Sequence, residues 1–397
     1  MVSNNTGEGG RRWIILVVIY ICSLAFAIAL LSVPPILSLI IAEFQLSHAQ
    51  GGLLMSFFAL PGIVISIPVG ILADRYNQKV IGLISLILMI AGAVLFASSN
   101  SWFMLSLGRV ISRIGAITLL IVAPQLLTQW FIKHELGVAM GIYNTGVPLG
   151  TILSFNFLSL LAENLGWRAS IWISAGLSLV ALILFAWFFT PMPRGDQKSS
   201  LSSESLSQSI RLSGISIWLV GIAWMLFNAA INSVFTFTPD LLNAVGFSLA
   251  SAGFLTSLVM WPVLVLCPAI GFIIDRIGHK RIIIATGGIA LAIFFPLIPS
   301  AIGWILTLML LIGIAEAVIP APIFTLTSEV VSPERLGLAF GILSTCLSLG
   351  TIVGPATAGL LKDVTGNYQA SYVLVSGFAF FILLIMILLK PKNTSQS

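Results

Sequence analysis

Charge-poor runs of roughly 20 residues recur twelve times along this chain, and few folds accommodate such a pattern. A helix needs about 20 apolar residues to cross a hydrocarbon core about 30 Å thick. The runs fall at 13–41, 52–73, 80–98, 102–128, 137–162, 168–190, 214–239, 250–274, 281–299, 303–328, 337–361 and 370–389. A backbone in lipid must satisfy its own hydrogen bonds, so each run is expected to be a helix. The predicted fold class is an all-α membrane protein with twelve transmembrane helices. Of the 397 residues 58% are hydrophobic and 8% charged, against about 25% charged in an average soluble domain. That excludes a soluble enzyme, a nucleic-acid binder and a disordered chain. The first run is too long for a signal peptide and has no clear cleavage site, so it is read as a mature helix.

The distribution of Lys and Arg sets the orientation. With the N-terminus in the cytoplasm, Arg11, Arg12, Arg75, Lys79, Lys133, Arg194, Lys198, Arg211, Arg276, Lys280, Arg281, Arg335, Lys390 and Lys392 are inside, and only Arg168 and Lys362 are outside. The positive-inside rule therefore predicts two cytoplasmic termini. Short tails and short loops suit a prokaryotic plasma (inner) membrane. Cys22, Cys267 and Cys346 sit in apolar runs and suggest neither a metal site nor a disulfide framework.

The stretch 191–213, with eight serines, breaks the apolar pattern and reads as a flexible linker. Six runs precede it and six follow. The expected organisation is an N-terminal tail 1–12, a six-helix bundle 13–190, the linker, a second bundle 214–389 and a tail 390–397. The halves repeat each other. GILADRYNQK at 70–79 returns as GFIIDRIGHK at 271–280, GVAMG at 137–141 as GLAFG at 337–341, and Leu149-Gly150-Thr151 as Leu349-Gly350-Thr351. Three matches in one order at nearly one offset indicate an internal duplication. Paired six-helix halves are a transporter architecture.

The 70–79 segment, with Gly70, Leu72, Ala73, Asp74, Arg75 and Lys79, resembles the cytoplasmic loop motif of the major facilitator superfamily. Gly271, Asp275, Arg276, Gly278 and Lys280 form a second copy, and the resemblance extends over essentially the whole chain. It implies twelve helices in two pseudo-symmetric bundles, working by alternating access. It also implies that Gly70, Asp74, Arg75, Lys79, Gly271, Asp275, Arg276 and Lys280 latch the halves in one state. Asn77 replaces the motif's usual Gly and is expected to tolerate a left-handed backbone there. In span 4 the family pattern is an Arg with Gly at the fourth and sixth positions after it. Arg109 and Gly115 fit that pattern, and Arg113 replaces the first Gly.

Three charged residues lie clearly within the runs: Arg109, Arg113 and Glu316. At 1.5 Å per residue, Arg113 is about 16 Å along span 4, near the bilayer midplane. A central Arg costs about 2.5–3.5 kcal/mol even on the mildest scale, so a wet cavity or a partner is expected for it. Glu316 is similarly deep in span 10, the counterpart of span 4. The resemblance puts spans 1, 4, 7 and 10 around a central cavity, where Arg113 and Glu316 would face each other. Glu316 is then either a proton carrier or half of a static bridge. Asn228, Asn232 and Trp224 share one face of span 7, and Asn144 of span 5 is a weaker candidate. Pro34-Pro35 is expected to interrupt span 1 and free carbonyls. The Gly/Pro-rich span 11 reads as close packing and a bend. His48, His134 and His279 are expected to be solvated loop residues.

No Walker loop, intramembrane catalytic constellation or metal set is present in the sequence, so neither an enzyme nor a cofactor is expected. The reading is a secondary transporter, a monomer in the lipid bilayer without nucleic-acid partners. Its substrate is expected to be a small organic anion, taken by proton symport or exchanged for a counter-anion, because two Arg outweigh one Glu. Multidrug–proton antiport is the alternative, and a transporter-fold sensor a third.

Overall fold

A computed structural model of the protein describes residues 6–75, 77–131, 133–189, 214–266, 270, 279–331 and 336–389. The 191–213 segment and the tail from 390 lie outside the described residues. Among those described, no strand occurs and twelve helices are long and apolar enough to cross a membrane. They are span 1 (Arg11–Leu30), span 2 (His48–Ser66), span 3 (Gln78–Ala97), span 4 (Trp102–Pro124), span 5 (Val138–Leu165) and span 6 (Trp167–Phe188). The others are span 7 (Ile215–Ala244), span 8 (Leu249–Leu266), span 9 (Lys280–Leu297), span 10 (Ile302–Thr327), span 11 (Ala339–Thr365) and span 12 (Tyr368–Leu388). All twelve correspond to the expected runs. Span 2 starts earlier than residue 52 because Ser47 and Gln50 form a capping box. Gln50 N–H donates to Ser47 Oγ at 3.1 Å, and Ser47 N–H to Gln50 Oε1 at 2.9 Å.

The chain forms two compact units. One comprises Met1–Ser32 and Val64–Ser199, the other Val33–Ile63 and Ser200–Ser397. In the first, spans 3 and 4 pack through glycine. A Cβ on Gly115 would lie 2.1 Å from Ser85 O, and one on Gly92 would lie 2.3 Å from Ser112 N. Gly108, Ser112 and Gly115 thus make the face of span 4 that meets span 3. One position further round the helix are Arg109 and Arg113, which meet span 1. In the second unit, spans 7 and 11 pack the same way. A Cβ on Gly350 would lie 2.2 Å from Met225 O, and one on Gly354 would lie 2.1 Å from Ala229 O. The small residues of span 11 thus serve close packing.

Several of the described spans are interrupted, among them spans 1, 5 and 10. Span 1 stops at Leu30, resumes as a 3-10 turn at Pro34–Ile36 and continues as the helix Leu37–Phe44. Span 5 divides into Lys133–Asn144, Gly146–Leu153, a π turn at Ser154–Leu158 and Ser159–Leu165. Span 10 divides into Ile305–Ala317 and Pro320–Val330. The expectation for Asn77 is corrected. Its φ is −63° and its ψ 113°, an extended conformation, and its side chain caps span 3 by accepting from Lys79 N–H at 2.9 Å. Asn is favoured here as an N-cap rather than for a left-handed turn.

Candidate functional site

The interruption of span 1 explains one of the two intramembrane arginines. Pro34 and Pro35 have no N–H, so the carbonyls of Leu30 and Leu31 lose their helical donors. Arg109 supplies the replacement. Its Nη1 donates to Ala29 O at 2.8 Å and to Ser32 Oγ at 3.4 Å, and its Nη2 to Leu30 O at 3.1 Å. Ser154 of span 5 donates to Leu31 O at 2.7 Å. The π turn presents Ser154 at this point. A neighbouring cavity of about 20 Å³, lined by Ser32, Arg109, Ser112 and Ser174, has room for a water and not for an organic substrate. Arg109 is thus a cap on a broken helix.

Arg113, one turn further along span 4, is 3% exposed. Its guanidinium carbon lies 5.8 Å from the Phe26 ring centroid of span 1, a cation–π arrangement. The same unit also contains Asn144, exposed beside the span 5 break. There Thr145 Oγ1 lies 3.2 Å from Tyr20 Oη of span 1.

Glu316 belongs to the second unit and ends the first part of span 10. It is 4% exposed, and its Oε2 is buried without a hydrogen-bond partner among the described residues. Two prolines shape this point. Pro320 and Pro322 cannot donate to the carbonyls of Glu316 and Val318, and Glu316 O instead accepts from Ile319 N–H at 3.1 Å. A carboxyl group therefore sits at a helix break inside a span, a place where broken helices in transporters bind ions and polar groups.

Asn228 and Asn232 share a buried face of span 7, as their spacing indicated. Both amides turn back onto their own helix. Asn228 Nδ2 donates to Trp224 O and Asn232 Nδ2 to Asn228 O, each at 2.8 Å, and Asn232 also reaches Thr351 of span 11 at 3.3 Å. Trp224 stacks on Phe227 at 5.2 Å and meets Phe324 of span 10 edge-on at 5.3 Å. Phe324 in turn lies 6.3 Å from Phe340 of span 11. This aromatic cluster carries no pattern in the sequence, because its members come from three spans.

Of the residues expected to form the loop latch, Gly271, Asp275 and Arg276 lie outside the described residues, as do the side chains of Asp74 and Arg75. Lys79 follows the Asn77 cap, and Lys280 pairs with Glu329. The expectation for His48 is corrected. It begins span 2 half-buried, with Asp363 at 3.0 Å and Asp240 at 3.4 Å from its ring nitrogens. Sequence gave no hint of this, because the partners lie on spans 7 and 11.

Several known proteins resemble the chain along most of its length. A hexuronate transporter of Bacillus subtilis is 22% identical, over 87% of this chain and 86% of its own. A probable sulfoacetate transporter of Cupriavidus necator is 25% identical, over 90% and 89%. A multidrug resistance protein of Proteus mirabilis is 25% identical, over 79% of each. Among solved structures, a bacterial homologue of the human lysosomal transporter Spinster superposes with a TM-score of 0.76, covering 96% of this chain and 95% of that one at 18% identity. The Major Facilitator Superfamily profile matches residues 16–248 and 214–397. With twelve spans and a repeated loop motif, this chain belongs to the Major Facilitator Superfamily, as a multi-pass membrane transporter and not an enzyme.

Proposed function

We propose that the protein carries a small organic anion by alternating access, coupled to a proton. The observation that carries this reading is Arg113, buried at mid-span 4 beside Phe26. A planar guanidinium holds a carboxylate or sulfonate with two parallel hydrogen bonds. Arg109 is committed to the carbonyls of span 1 and acts as a positioning residue. Glu316, buried at the span 10 break with an unsatisfied oxygen, is the proton carrier. Two relatives named for hexuronate and sulfoacetate support the substrate class. The basic residues at the loops support cytoplasmic termini in a prokaryotic inner membrane. The repeated loop motif at 70–79 and 271–280 serves as the latch, and the working unit is the monomer.

The test is uptake into proteoliposomes. The expected result is hexuronate or sulfoacetate accumulation driven by an inward proton gradient. Arg113→Gln should abolish it with the melting temperature unchanged. Glu316→Gln should retain exchange of one anion for another and lose gradient-driven accumulation. Undiminished uptake by Arg113→Gln overturns the assignment. A second reading, proton-coupled efflux of lipophilic cations, draws on the Trp224, Phe324 and Phe340 cluster, on Glu316 and on the multidrug relative. It predicts that the protein protects cells against cationic dyes, whereas the anion reading predicts no protection.

A further inference from the structure

We propose that His48, Asp240 and Asp363 form a proton-binding site that holds the start of span 2 against spans 7 and 11. The unit that contains spans 7–12 also contains Val33–Ile63, which belongs by sequence to the first half. The start of span 2 is fixed there by one carboxylate. Asp363, in the last turn of span 11, accepts from His48 N–H at 2.9 Å with Oδ1 and from Ala49 N–H at 2.8 Å with Oδ2. The same Oδ1 lies 3.0 Å from the His48 ring Nδ1. The other ring nitrogen, Nε2, lies 3.4 Å from Asp240 Oδ2 of span 7 and 3.5 Å from Tyr368 Oη of span 12. Tyr368 Oη donates to Asp240 Oδ2 at 2.5 Å.

Both nitrogens of the ring therefore face carboxylate oxygens. A neutral imidazole donates from one nitrogen and presents a lone pair at the other. Only the imidazolium donates to both, so the geometry is completed by a second proton on His48. The other charged groups nearby do not compete for that role. Lys362 lies over the Tyr368 ring at 4.2 Å and donates to Gly366 O, Tyr372 is engaged by Thr238 at 2.8 Å, and Glu43 lies on the short helix before span 2.

Histidine changes charge between about pH 5 and 8. Charging His48 adds attraction to two carboxylates on spans 7 and 11, and losing the proton leaves a lone pair against one of them. The protonated site therefore holds the start of span 2 against spans 7 and 11, and deprotonation releases it. Combined with the anion–proton symport reading, on which its role in transport rests, the site commits an outward-facing loaded carrier to inward turning only after a proton arrives.

The test is a distance measurement in nanodiscs without substrate. Spin labels go on Ala42→Cys and Val245→Cys, with Cys22, Cys267 and Cys346 replaced by Ser. The ratio of short- to long-distance populations should exceed its pH 8 value by about tenfold at pH 5, as expected for one pKa unit of differential proton affinity. His48→Gln should abolish the pH response. A pH-independent distribution in the parent protein overturns the proposal, and so does an unaltered response in His48→Gln. Because no substrate is present, a normal gate response with no anion transport would reject the symport reading alone.

Discussion

Two arginines one turn apart on one helix carry the same charge, yet their surroundings separate them. Arg109 gives three hydrogen bonds to the broken end of span 1, and Arg113 stacks on Phe26. Removing Arg109 leaves the carbonyl of Leu30 without its donor, at about 1–3 kcal/mol for a buried group, and leaves Ala29 O with Ser32 Oγ alone, at 3.0 Å. Arg109→Ala should therefore melt well below the parent protein in a thermal-shift assay in detergent, while Arg113→Gln melts near it. If Arg109→Ala keeps the parent melting temperature and loses transport, Arg109 belongs to the substrate site instead. The sequence marks both residues as exceptional, because charge is so scarce in the spans. It cannot sort them, since the capped carbonyls lie about 80 positions earlier and their orphaning depends on Pro34 and Pro35. His48 illustrates the same limit. Next to a loop it reads as solvated, and the carboxylates that face it come from Asp240 and Asp363.

At the scale of elements, apolar length alone predicts twelve spans, and the breaks within them are legible only where proline causes them. Pro34-Pro35 announces the gap in span 1. Pro320 and Pro322 carry the same signal in span 10, but a continuous apolar run at 303–328 conceals it. The π turn at Ser154–Leu158 has no proline or glycine and leaves no mark in the sequence. The span 10 break sits beside Glu316, which ties it to function. Pro320→Ala restores an N–H able to pair with Glu316 O and lets the helix run on. A continuous helix gains stability from the added hydrogen bond, by roughly 0.5–1.5 kcal/mol. The expected phenotype is a raised melting temperature with a slower anion exchange rate in proteoliposomes. An unchanged exchange rate would show that the break is not used during turnover.

For the whole molecule, the internal repeat divides the chain near residue 200, and the packing divides it differently. Val33–Ile63 follows spans 7–12. A duplicated sequence records ancestry, and so predicts two equal halves. Packing records which segments lie against one another, and the repeat alone does not fix that. Residues of span 2 touch span 11 closely here. Ser56 Oγ donates to Ile352 O at 2.7 Å, and a Cβ on Gly52 would lie 2.3 Å from Pro355 O. A bridge at this contact should hold the carrier in one state. With the native cysteines replaced, joining Ser56→Cys to Ile352→Cys by a short bifunctional thiosulfonate should reduce uptake to background. Reducing agent should restore it, and substrate should still shift the melting temperature of the bridged protein, because ligand stabilises whichever folded state binds it. Full transport by a fully bridged protein would mean that this contact persists throughout the cycle and that transport proceeds by movement elsewhere.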